Sequence, residues 1–522
     1  MNYVLGIDLG TSGVKCLLVS EDGNILGSTS KSYKPDFGEN GHVEQDPSVW
    51  WENTKEAVKN IINEYPEAKG KVAALSCSGQ MHSSVFLDKT GNVIRKAILW
   101  NDTRTTPQIK EIYEKADGLE NVLGMVYNKA LEGFTLPKIL WLRENEPDNF
   151  DKVSKVIMPK DYINYMLTGN IKTEVSDAAG TLLFDVKNST WSDAMLEKMN
   201  LSKDILPEVL QSTGVVGEVT SELAKELGLA DGAKVIAGGA DNSCAAVGNG
   251  VISKGQAVLS VGTSGTAIAY LDGINNKVTG DVHLFNYSMP DSLYAMGCML
   301  CAGEALNWLK RTLFEDTSFN ELNALAEKAP VGSGGIVFLP YLFGERCPYS
   351  DVNARGVFFG ISGATGKGEL IRSVMEGVAF GLKDLFSLVT DFVDVNELYI
   401  TGGGAKSKIW GQIIADVVGR ELNVLNIEEG PSFGAALIAL VGSGICSDFE
   451  TAKGKSVKVI KTIKPSENVA KYTEIHKIYT ELYKTNKEME VNAMAKGGNP
   501  RHLELIRRIN RSLILNMVKE RQ

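Results

Sequence analysis

Short runs of apolar residues alternate with amphipathic stretches along the whole chain. Near the N-terminus, three such runs predict the strands of consecutive hairpins, "YVLGIDLG", "VKCLLVS" and "ILGSTS", with the turn "EDGN" before the last one. The stretch "DPSVWWENTKEAVKNIINEY" then predicts a helix with an Asp-Pro-Ser cap, and "KVAALSCSG" predicts a further strand. Because strands and helices recur after this point, we expect an α/β or mixed architecture.

A four-residue sequence, "GTSG", occurs twice, at 10–13 and at 262–265. Each copy lies between two apolar runs that predict strands. Glycine-rich hairpins are common, so chance is one explanation of the repeat. The matching strand-turn-strand context favours the other explanation, a duplicated domain with a cleft between the copies. We therefore expect one domain at 1–250, a second at 251–490 and a basic tail at 491–522, to which we assign no function.

Composition narrows the class of partner. Hydrophobic residues make up 43% and charged residues 23% of the 522 positions, which is ordinary usage for a globular protein. A net charge of -10 argues against a nucleic-acid partner, because phosphate backbones are bound by clustered Lys and Arg. No apolar run approaches the ~18 residues of a membrane span. Small molecules are the expected partners.

The seven cysteines are spread from Cys16 to Cys446 and do not form a disulfide-type pattern. Free thiols are typical of a reducing compartment, so we expect a cytoplasmic location. Cys298 and Cys301 have the C-x-x-C spacing of some zinc sites, but a second pair or nearby histidines are needed and only His283 lies near in sequence. We interpret the pair as a coincidence at the start of an apolar helix.

The first "GTSG" hairpin, in "GIDLGTSGVK", differs from a Walker loop because its turn returns to a strand. Its glycines let backbone amides approach an anion, with Thr11, Ser12 and Lys15 as further donors. Asp8, near the end of the preceding strand, is suited to hold a hydrated Mg²⁺ beside phosphates. The alternative is that Asp8 braces the turn.

A second carboxylate follows an apolar strand in "VIAGGADNSCAAVGNG". Asp241 and Asn242 lie where a helix of small residues begins, and Asp, Asn and Ser are all preferred N-caps, so we expect one of the three residues from 241 to 243 to cap the helix. A carboxylate at a helix N-terminus is expected to stay ionised because of the helix dipole. Asp241 is therefore a candidate general base.

Polar and aromatic residues also follow the strand "KVAALSCSG". Met81 and His82 come directly after it, and Trp100 and Asn101 lie about twenty residues further on. A polyol or sugar site needs hydrogen-bonding groups and an apolar wall, which these residue types supply. The alternative is that His82 is a structural histidine. Near the C-terminus, the triple glycine in "ELYITGGGAKSKIWGQ" indicates backbone that lies flat against a nucleotide, or simply a tight strand-to-helix turn.

These motifs together resemble those of the FGGY carbohydrate kinases. Two long stretches, "GFTLPKILWLREN" at 133–145 and "GVFFGISGATGKGELIRSVME" at 356–376, fit the signature patterns of that family. The shorter motifs "GIDLGTSGVK", "SGQMH", "LWNDTR", "GGADN", "SVGTSGTA" and "TGGGAKS" occur in the family's order. The resemblance extends over about Asn2 to Lys484 and leaves the basic tail outside it.

The resemblance implies two ribonuclease-H-like domains of the actin and hexokinase type that flank a catalytic cleft, and transfer of a phosphoryl group from ATP to a sugar with Mg²⁺. It implies that Asp241 is the proton acceptor and that Asp8 is the carboxylate at the metal and phosphates. The sugar-binding residues that it implies are Met81, His82, Asp241 and Asn242, and the nucleotide-binding residues are Thr263, Gly303, Asn307, Gly404, Ala405 and Lys408. Family members are often homodimers.

Within the family the chain looks most like the members that convert D-xylulose to D-xylulose 5-phosphate. Two other interpretations stay open: a kinase for another sugar or polyol, such as ribulose, gluconate, glycerol or erythritol, and a non-catalytic sensor with the same fold. Ser83 and Ser84 follow His82 where many xylulose-specific members have Gly and an apolar residue, which predicts a more polar sugar pocket.

Overall fold

The computed structural model describes residues 2–427, 429–454 and 457–495. Of the predicted tail at 491–522, everything after residue 495 lies outside the described residues. The described chain is built around two large mixed sheets, one in each half. No helix within the described ranges has the length and apolar character needed to cross a membrane.

The N-terminal half contains the first large sheet and a layer of helices. Its strands are β1 Tyr3–Leu9, β2 Gly13–Ser20, β3 Ile25–Ser32, β4 Asp36–Phe37, β5 Val43–Gln45, β6 Val72–Gly79, β7 Val85–Leu87, β8 Ala97–Ile98, β9 Lys155–Ile157, β10 Lys172–Glu174, β11 Phe184–Asp185, β12 Thr190–Trp191, β13 Glu208–Leu210, β14 Val215–Glu218 and β15 Lys234–Ala240. Its helices are α1 Pro47–Glu64, α2 Thr106–Lys115, α3 Leu119–Val126, α4 Thr135–Asn145, α5 Pro147–Phe150, α6 Pro159–Thr168, α7 Val175–Ala179, α8 Asp193–Met199, α9 Ser221–Leu227 and α10 Asp241–Gly248.

The C-terminal half contains the second large sheet. Its strands are β16 Gln256–Val261, β17 Gly265–Leu271, β18 His283–Asn286, β19 Leu293–Met299, β20 Val337–Leu339, β21 Val357–Phe359, β22 Glu397–Thr401, β23 Leu422–Leu425 and β24 Val459–Ile463. Its helices are α11 Gly303–Leu313, α12 Phe319–Lys328, α13 Lys367–Thr390, α14 Lys408–Val418, α15 Gly430–Gly442, α16 Phe449–Lys453 and α17 Val469–Ala495.

The two large sheets share one topology. In the first, the order is β14-β15-β6-β1-β2-β3, with β1, β2 and β3 antiparallel and β6 and β15 parallel to β1. In the second, β16, β17 and β19 are antiparallel, and β22 and β23 run parallel to β16. Three antiparallel strands followed by parallel ones form the ribonuclease-H-like arrangement, so the predicted fold, with two such units, is confirmed.

Helix α15 of the C-terminal half packs across helix α10 and strand β1 of the N-terminal half. Glycines allow this close contact: a Cβ on Gly434 would lie 1.9 Å from the carbonyl oxygen of Cys244, and one on Gly6 would lie 1.9 Å from that of Ser432. Both distances are far shorter than van der Waals contact. The two halves are therefore joined by packed backbone behind the ends of the central strands.

Two local expectations are resolved by the fold. Asp46 accepts a hydrogen bond from the backbone amide of Ser48 and caps helix α1, as its sequence predicts. The pair in "CMLC" does not lie at the start of a helix, because Cys298 belongs to strand β19 and Cys301 to the turn before α11. All seven cysteines are free thiols.

Candidate active site

The carboxyl ends of three parallel strands bring the N-terminal candidates together. Asp8 on β1 pairs in register with Ser78 on β6, and Gly79 at the end of β6 pairs with Ala240 at the end of β15. The segment after β6 begins with Gln80 and continues to Met81 and His82, and α10 begins at Asp241 directly after β15. Parallel strands align their carboxyl ends at one edge of a sheet, so these residues form a single group there.

Asp8 is a partly buried carboxylate on the central strand. Its Oδ1 accepts a hydrogen bond from Ser78 Oγ at 3.1 Å. Burial raises its pKa to about 6, against the opposing effects of Ser78 and Lys15. Lys15 lies opposite Asp8 on β2 and forms an ion pair with Glu429, beside the start of α15. Asp8 therefore lies in a pocket that favours a positive ligand, because a cation would offset the cost of its buried charge.

Asp241 occupies the first residue of α10. Its Oδ1 accepts hydrogen bonds from the backbone amide of Asn242 at 2.7 Å and from Asn242 Nδ2 at 2.8 Å. The N-cap position belongs to Ala240, so the expectation that one of the residues 241–243 caps the helix is wrong. The expected ionisation is also corrected: burial and the nearby charge of Asp8 raise the pKa of Asp241 to about 7. That value suits a general base at neutral pH.

Met81 connects the predicted sugar residues to the C-terminal half. Its sulfur lies 3.8 Å from Asn242 Nδ2 and 3.9 Å from the hydroxyl of Tyr294 on β19. Sulfur is a weak acceptor, so both donors keep most of their capacity for a better partner. Tyr294 was not singled out from the sequence, since nothing in the surrounding apolar strand distinguishes it. Met81, Asn242 and Tyr294 thus form one wall of the group.

His82 is partly buried and has a left-handed backbone conformation, with φ of 68°. Its Nδ1 lies 2.6 Å from the carbonyl oxygen of Gly180, so Nδ1 carries the proton and donates. Burial lowers the pKa of His82 to about 3, and the ring is neutral at physiological pH. The ring packs on Phe134 at 4.6 Å between centroids. With Nδ1 occupied, Nε2 is left as a hydrogen-bond acceptor.

The carbonyl of His82 is held by two side chains of helix α4. Thr135 Oγ1 donates to it at 3.1 Å, and Lys138 Nζ lies 3.4 Å away. Lys138 is buried and also donates to the carbonyls of Glu132, Gly133 and Phe134. The 133–145 signature stretch therefore supports His82, the strained residue of the predicted sugar site, and sequence reasoning did not identify this role.

Trp100 connects the predicted sugar wall to the first "GTSG" hairpin. Its Nε1 donates to Thr11 Oγ1 at 2.9 Å, and Thr11 Oγ1 donates to Gln80 Oε1 at 3.2 Å. Ser83 Oγ accepts from the amide of Trp100 at 3.0 Å and donates to Gln80 Oε1. Ser83 is thus committed to internal bonds. The buried Ser84 hydroxyl makes no hydrogen bond within the part of the chain that the structure describes.

Two further polar atoms of this group are buried without a hydrogen bond in the described protein, Gln80 Nε2 and Asn101 Oδ1. Buried polar atoms nearly always have a partner. A donor and an acceptor left over beside Trp100, which is 40% exposed, fit a ligand rich in hydroxyl groups. Ser12 is exposed at the tip of the hairpin.

The nucleotide candidates gather at the matching edge of the second sheet. The second "GTSG" turn is bonded to the start of α11: Gly303 N donates to Gly262 O at 2.7 Å, and Ala302 N donates to Thr263 O at 2.9 Å. The side chain of Thr263 is exposed at this turn, as is that of Asn307 one turn along the helix. Thr263, Gly303 and Asn307 therefore lie together.

Gly404, Ala405 and Lys408 follow strand β22, which is parallel to β16. Residues Gly403–Lys406 form a 3-10 turn, and Gly404 packs so closely on Val261 that a Cβ would lie 2.4 Å from Val261 Cγ1. Lys408 is exposed at the first position of α14. The triple glycine thus lies beside the "GTSG" turn of the same sheet.

Several xylulose kinases are similar in sequence to this chain over most of its length. A xylulose kinase of Staphylococcus epidermidis is 41% identical and one of Bacillus subtilis 39%; each match covers 94% of this chain and 98% of the relative. The crystal structure of a ligand-bound xylulose kinase from Lactobacillus acidophilus, 27% identical, covers 93% of this chain and 98% of its own with a TM-score of 0.87. Residues 3–248 match the N-terminal domain and residues 257–443 the C-terminal domain of one family. The chain belongs to the FGGY family of carbohydrate kinases.

Proposed function

We propose that this carbohydrate kinase transfers the γ-phosphoryl group of ATP to the terminal hydroxyl of D-xylulose and gives D-xylulose 5-phosphate and ADP. The observation that carries the proposal is the group at the carboxyl edge of β1, β6 and β15. There Asn242 holds the partly buried carboxylate of Asp241 and also contacts Met81, the residue before the neutral His82. The relatives described above, which are xylulose kinases, favour this sugar over the other acceptors of the family.

In the proposed reaction Asp241 is the general base. As the 5-hydroxyl oxygen of the sugar forms its bond to the γ-phosphorus, its proton passes to an Asp241 carboxylate oxygen. The bond between the γ-phosphorus and the bridging oxygen breaks, and its electron pair leaves with ADP. Asn242 donates to one oxygen of Asp241 and so holds the carboxylate in position. Phosphoryl transfer depends mainly on such positioning and on neutralising phosphate charge.

Asp8 fits the role of magnesium ligand. Mg²⁺ in phosphoryl-transfer sites is bound by one or two carboxylates, the substrate phosphates and several waters. The donor set here, with Asp8 close enough to Asp241 to raise the pKa of Asp241, matches that requirement. Among the described residues there is no group of three or more His, Cys, Asp and Glu that would hold a metal without the phosphates. When bound, the ion would neutralise phosphate charge.

The nucleotide is proposed to bind at the edge of the second sheet. The amides and hydroxyl of the turn at Thr263 suit phosphate oxygens. The first hairpin, in the N-terminal half, offers the same kind of donors with Thr11, Ser12 and Lys15. The glycine-rich backbone at Gly404 and Ala405 and the ammonium of Lys408 suit the nucleoside end. Closure of the cleft would exclude water and limit ATP hydrolysis.

We also propose a domain boundary, a location and an oligomeric state. The domain boundary near residue 250 agrees with family matches that end at 248 and resume at 257. A cytoplasmic location is supported by the seven cysteines, all of which are free thiols. A homodimer is proposed on the resemblance to the family.

The deciding experiment measures ADP release with Mg-ATP over a panel of pentuloses, polyols and aldonates, for the wild type and for Asp241→Asn. We expect the highest kcat/KM with D-xylulose and a loss of about 10²–10⁴-fold in the variant. Asp151→Asn, at an exposed carboxylate, is the matched control and is expected to keep full activity. Another preferred acceptor would overturn the choice of sugar, and an absence of turnover with every acceptor would favour the non-catalytic sensor.

A further inference from the structure

Arg346 differs from the other arginines of the described chain. Seven of the eight arginines in the described ranges donate a side-chain hydrogen bond or form an ion pair; they are Arg95, Arg104, Arg143, Arg311, Arg355, Arg372 and Arg420. The guanidinium of Arg346 has neither, although it is partly buried. A guanidinium carries five donors and no acceptor. Its donors are therefore open to a ligand.

Arg346 lies on a loop, Glu345–Asp351, that is docked on the end of strand β19. Cys347 N donates to Cys298 O at 3.1 Å, and Glu345 Oε1 accepts from Leu300 N at 3.0 Å and from Arg346 N at 2.7 Å. The loop is closed by paired backbone bonds of 2.8 Å between Glu345 and Asp351. Arg346 thus starts from a fixed backbone position next to β19.

Helix α17 keeps this loop rigid. The ring of Tyr483 stacks on that of Tyr349 at 3.6 Å, and its hydroxyl donates to Asp351 Oδ2 at 2.9 Å. Just before the loop, the hydroxyl of Tyr341 lies 2.7 Å from that of Tyr479. Side chains locked by packing are what a precise binding site requires. The position of Arg346 is therefore set by the fold.

The neighbours of Arg346 belong to the sugar side of the cleft. His283 on β18 pairs with Met296 on β19. Met296 is two residues before Cys298, the residue on which the Arg346 loop docks. The ring of His283 stacks on that of Phe285 with 5.4 Å between the ring centroids. The centroids of Phe285 and His82 are 6.1 Å apart. Burial, followed by the charge of Arg346, keeps the pKa of His283 well below its ordinary value, and Arg346 also helps to lower that of His82.

The charge of Arg346 affects the two histidines, whereas other groups account for the pKa shifts of the two carboxylates. The pKa of Asp241 is set by burial, by Asp8 and by the donors of Asn242, and that of Asp8 by burial, Ser78, Lys15 and Glu429. Arg346 is therefore assigned to the side of the sugar pocket where His82 and His283 lie.

We propose that Arg346 donates hydrogen bonds to the carbonyl oxygen at C2 of the acceptor sugar and selects 2-ketoses, a role that rests on the proposed function. A ketone oxygen only accepts hydrogen bonds and a guanidinium only donates them, so the pair is complementary. In a five-carbon ketose phosphorylated at its 5-hydroxyl, C2 lies at the opposite end. Arg346 thus binds from the C-terminal half the same sugar that Met81, His82 and Asp241 bind from the N-terminal half.

The test compares D-xylulose with xylitol, which has a hydroxyl at C2. The proteins compared are the wild type, Arg346→Gln and Arg346→Lys. Kinetics give the KM and kcat of D-xylulose, the KM of ATP and the inhibition constant of xylitol. Melting curves give the rise in melting temperature that D-xylulose causes without ATP. The matched control is Arg355→Gln, which removes bonds to the carbonyls of Val352 and Ala354.

We expect Arg346→Gln to raise the KM of D-xylulose about 10- to 100-fold, as for the loss of a charged hydrogen bond. The inhibition constant of xylitol changes less, the KM of ATP stays within about twofold, and the thermal shift with D-xylulose is lost. Arg346→Lys recovers part of the loss, and the control behaves as wild type.

An unchanged KM for D-xylulose would overturn the proposal. So would an equal loss of kcat with an unchanged KM, since that result would place Arg346 at the phosphoryl group. A wild type that does not phosphorylate D-xylulose would instead overturn the proposed function, and the two failures are therefore distinguishable.

Discussion

The indole nitrogen of Trp100 donates a hydrogen bond to Thr11 Oγ1 at 2.9 Å. The sequence assigns Trp100 to the sugar and Thr11 to phosphate, so one bond joins the two predicted functions. Thr11 in turn donates to Gln80 Oε1, directly before Met81 and His82. The phosphate hairpin and the sugar-binding segment are thereby held in a fixed relation.

This relation predicts coupling between the two residues. We expect Trp100→Phe and Thr11→Val each to lower kcat/KM, and the double variant to lose less than the sum, with a coupling energy of about 1 kcal/mol. The measurement is a double-mutant cycle on kcat/KM for the sugar. Strictly additive losses would show that the bond does not connect the two sites during turnover.

The pKa of Asp241, raised to about 7 by burial and by Asp8, predicts an acid limb in the pH profile. A base must be deprotonated to accept a proton, so kcat/KM is expected to fall as pH drops below 7, by up to about tenfold per unit. His82 does not contribute to this limb, because burial keeps its pKa at about 3. The pH dependence of kcat/KM between pH 5 and 9 checks the prediction.

Two comparisons sharpen this test. Asp241→Asn is expected to remove the limb near pH 7 from whatever activity is left, and to leave the limb of Asp8, whose pKa burial raises to about 6. Bound Mg²⁺ favours ionised carboxylates, so the limb in kcat is expected at lower pH than the limb in kcat/KM. A profile flat down to pH 5 in the wild type would contradict the assignment of Asp241 as the base.

Much of the site could be predicted from sequence because its residues directly follow apolar strands. Asp8, Met81, His82 and Asp241 each lie at or just beyond a strand end, and parallel strands bring such ends to one edge. The repeated "GTSG" hairpin likewise predicts the duplicated fold, since each copy lies between strands of the same sheet topology.

Burial and long-range contacts could not be predicted in this way. The ionisation of Asp241 depends on its burial and on Asp8, which is distant in sequence, so the expectation from the helix dipole alone had the wrong sign. Tyr294 reaches Met81 across 213 positions, and no local pattern marks it. Arg346 is distinguished only by donors left without partners, which a sequence does not reveal.

Lys138 provides a prediction about stability. Its buried ammonium donates to the carbonyls of Gly133, Phe134 and His82, and burial lowers its pKa to about 7. We expect Lys138→Met to leave these carbonyls unsatisfied, to cost about 1–3 kcal/mol in the free energy of unfolding, and to raise the KM of the sugar through His82. Lys110→Met, at an exposed position, is the control.

The pH dependence of this cost has a definite sign. Between pH 7 and 10.5 the folded state binds fewer protons at Lys138 than the unfolded state does, so the group adds stability as pH rises, by at most about 1.4 kcal/mol per unit. The difference in unfolding free energy between wild type and Lys138→Met should therefore grow from pH 7 to pH 9 in urea titrations. A constant difference would contradict the lowered pKa.

Gly303 predicts a variant that separates nucleotide binding from sugar binding. Its amide donates to Gly262 O at 2.7 Å, and a Cβ at this position would lie 2.5 Å from the same oxygen. Since real Cβ atoms do not approach so closely, Gly303→Ala must push the Thr263 turn away from helix α11. We expect the KM of ATP to rise about tenfold or more, while the thermal shift caused by the sugar alone is kept.

The matched control is Gly124→Ala in helix α3, where a Cβ would meet no atom within 4 Å. Alanine is the better helix former there, so this variant is expected to be neutral or slightly stabilising, with an unchanged KM for ATP. Steady-state kinetics with varied ATP and melting curves with sugar distinguish the outcomes. If Gly303→Ala instead raised the KM of the sugar and left that of ATP unchanged, the turn at Thr263 would belong to the sugar site. The assignment of the nucleotide to the second sheet and the sugar to the first would then be wrong.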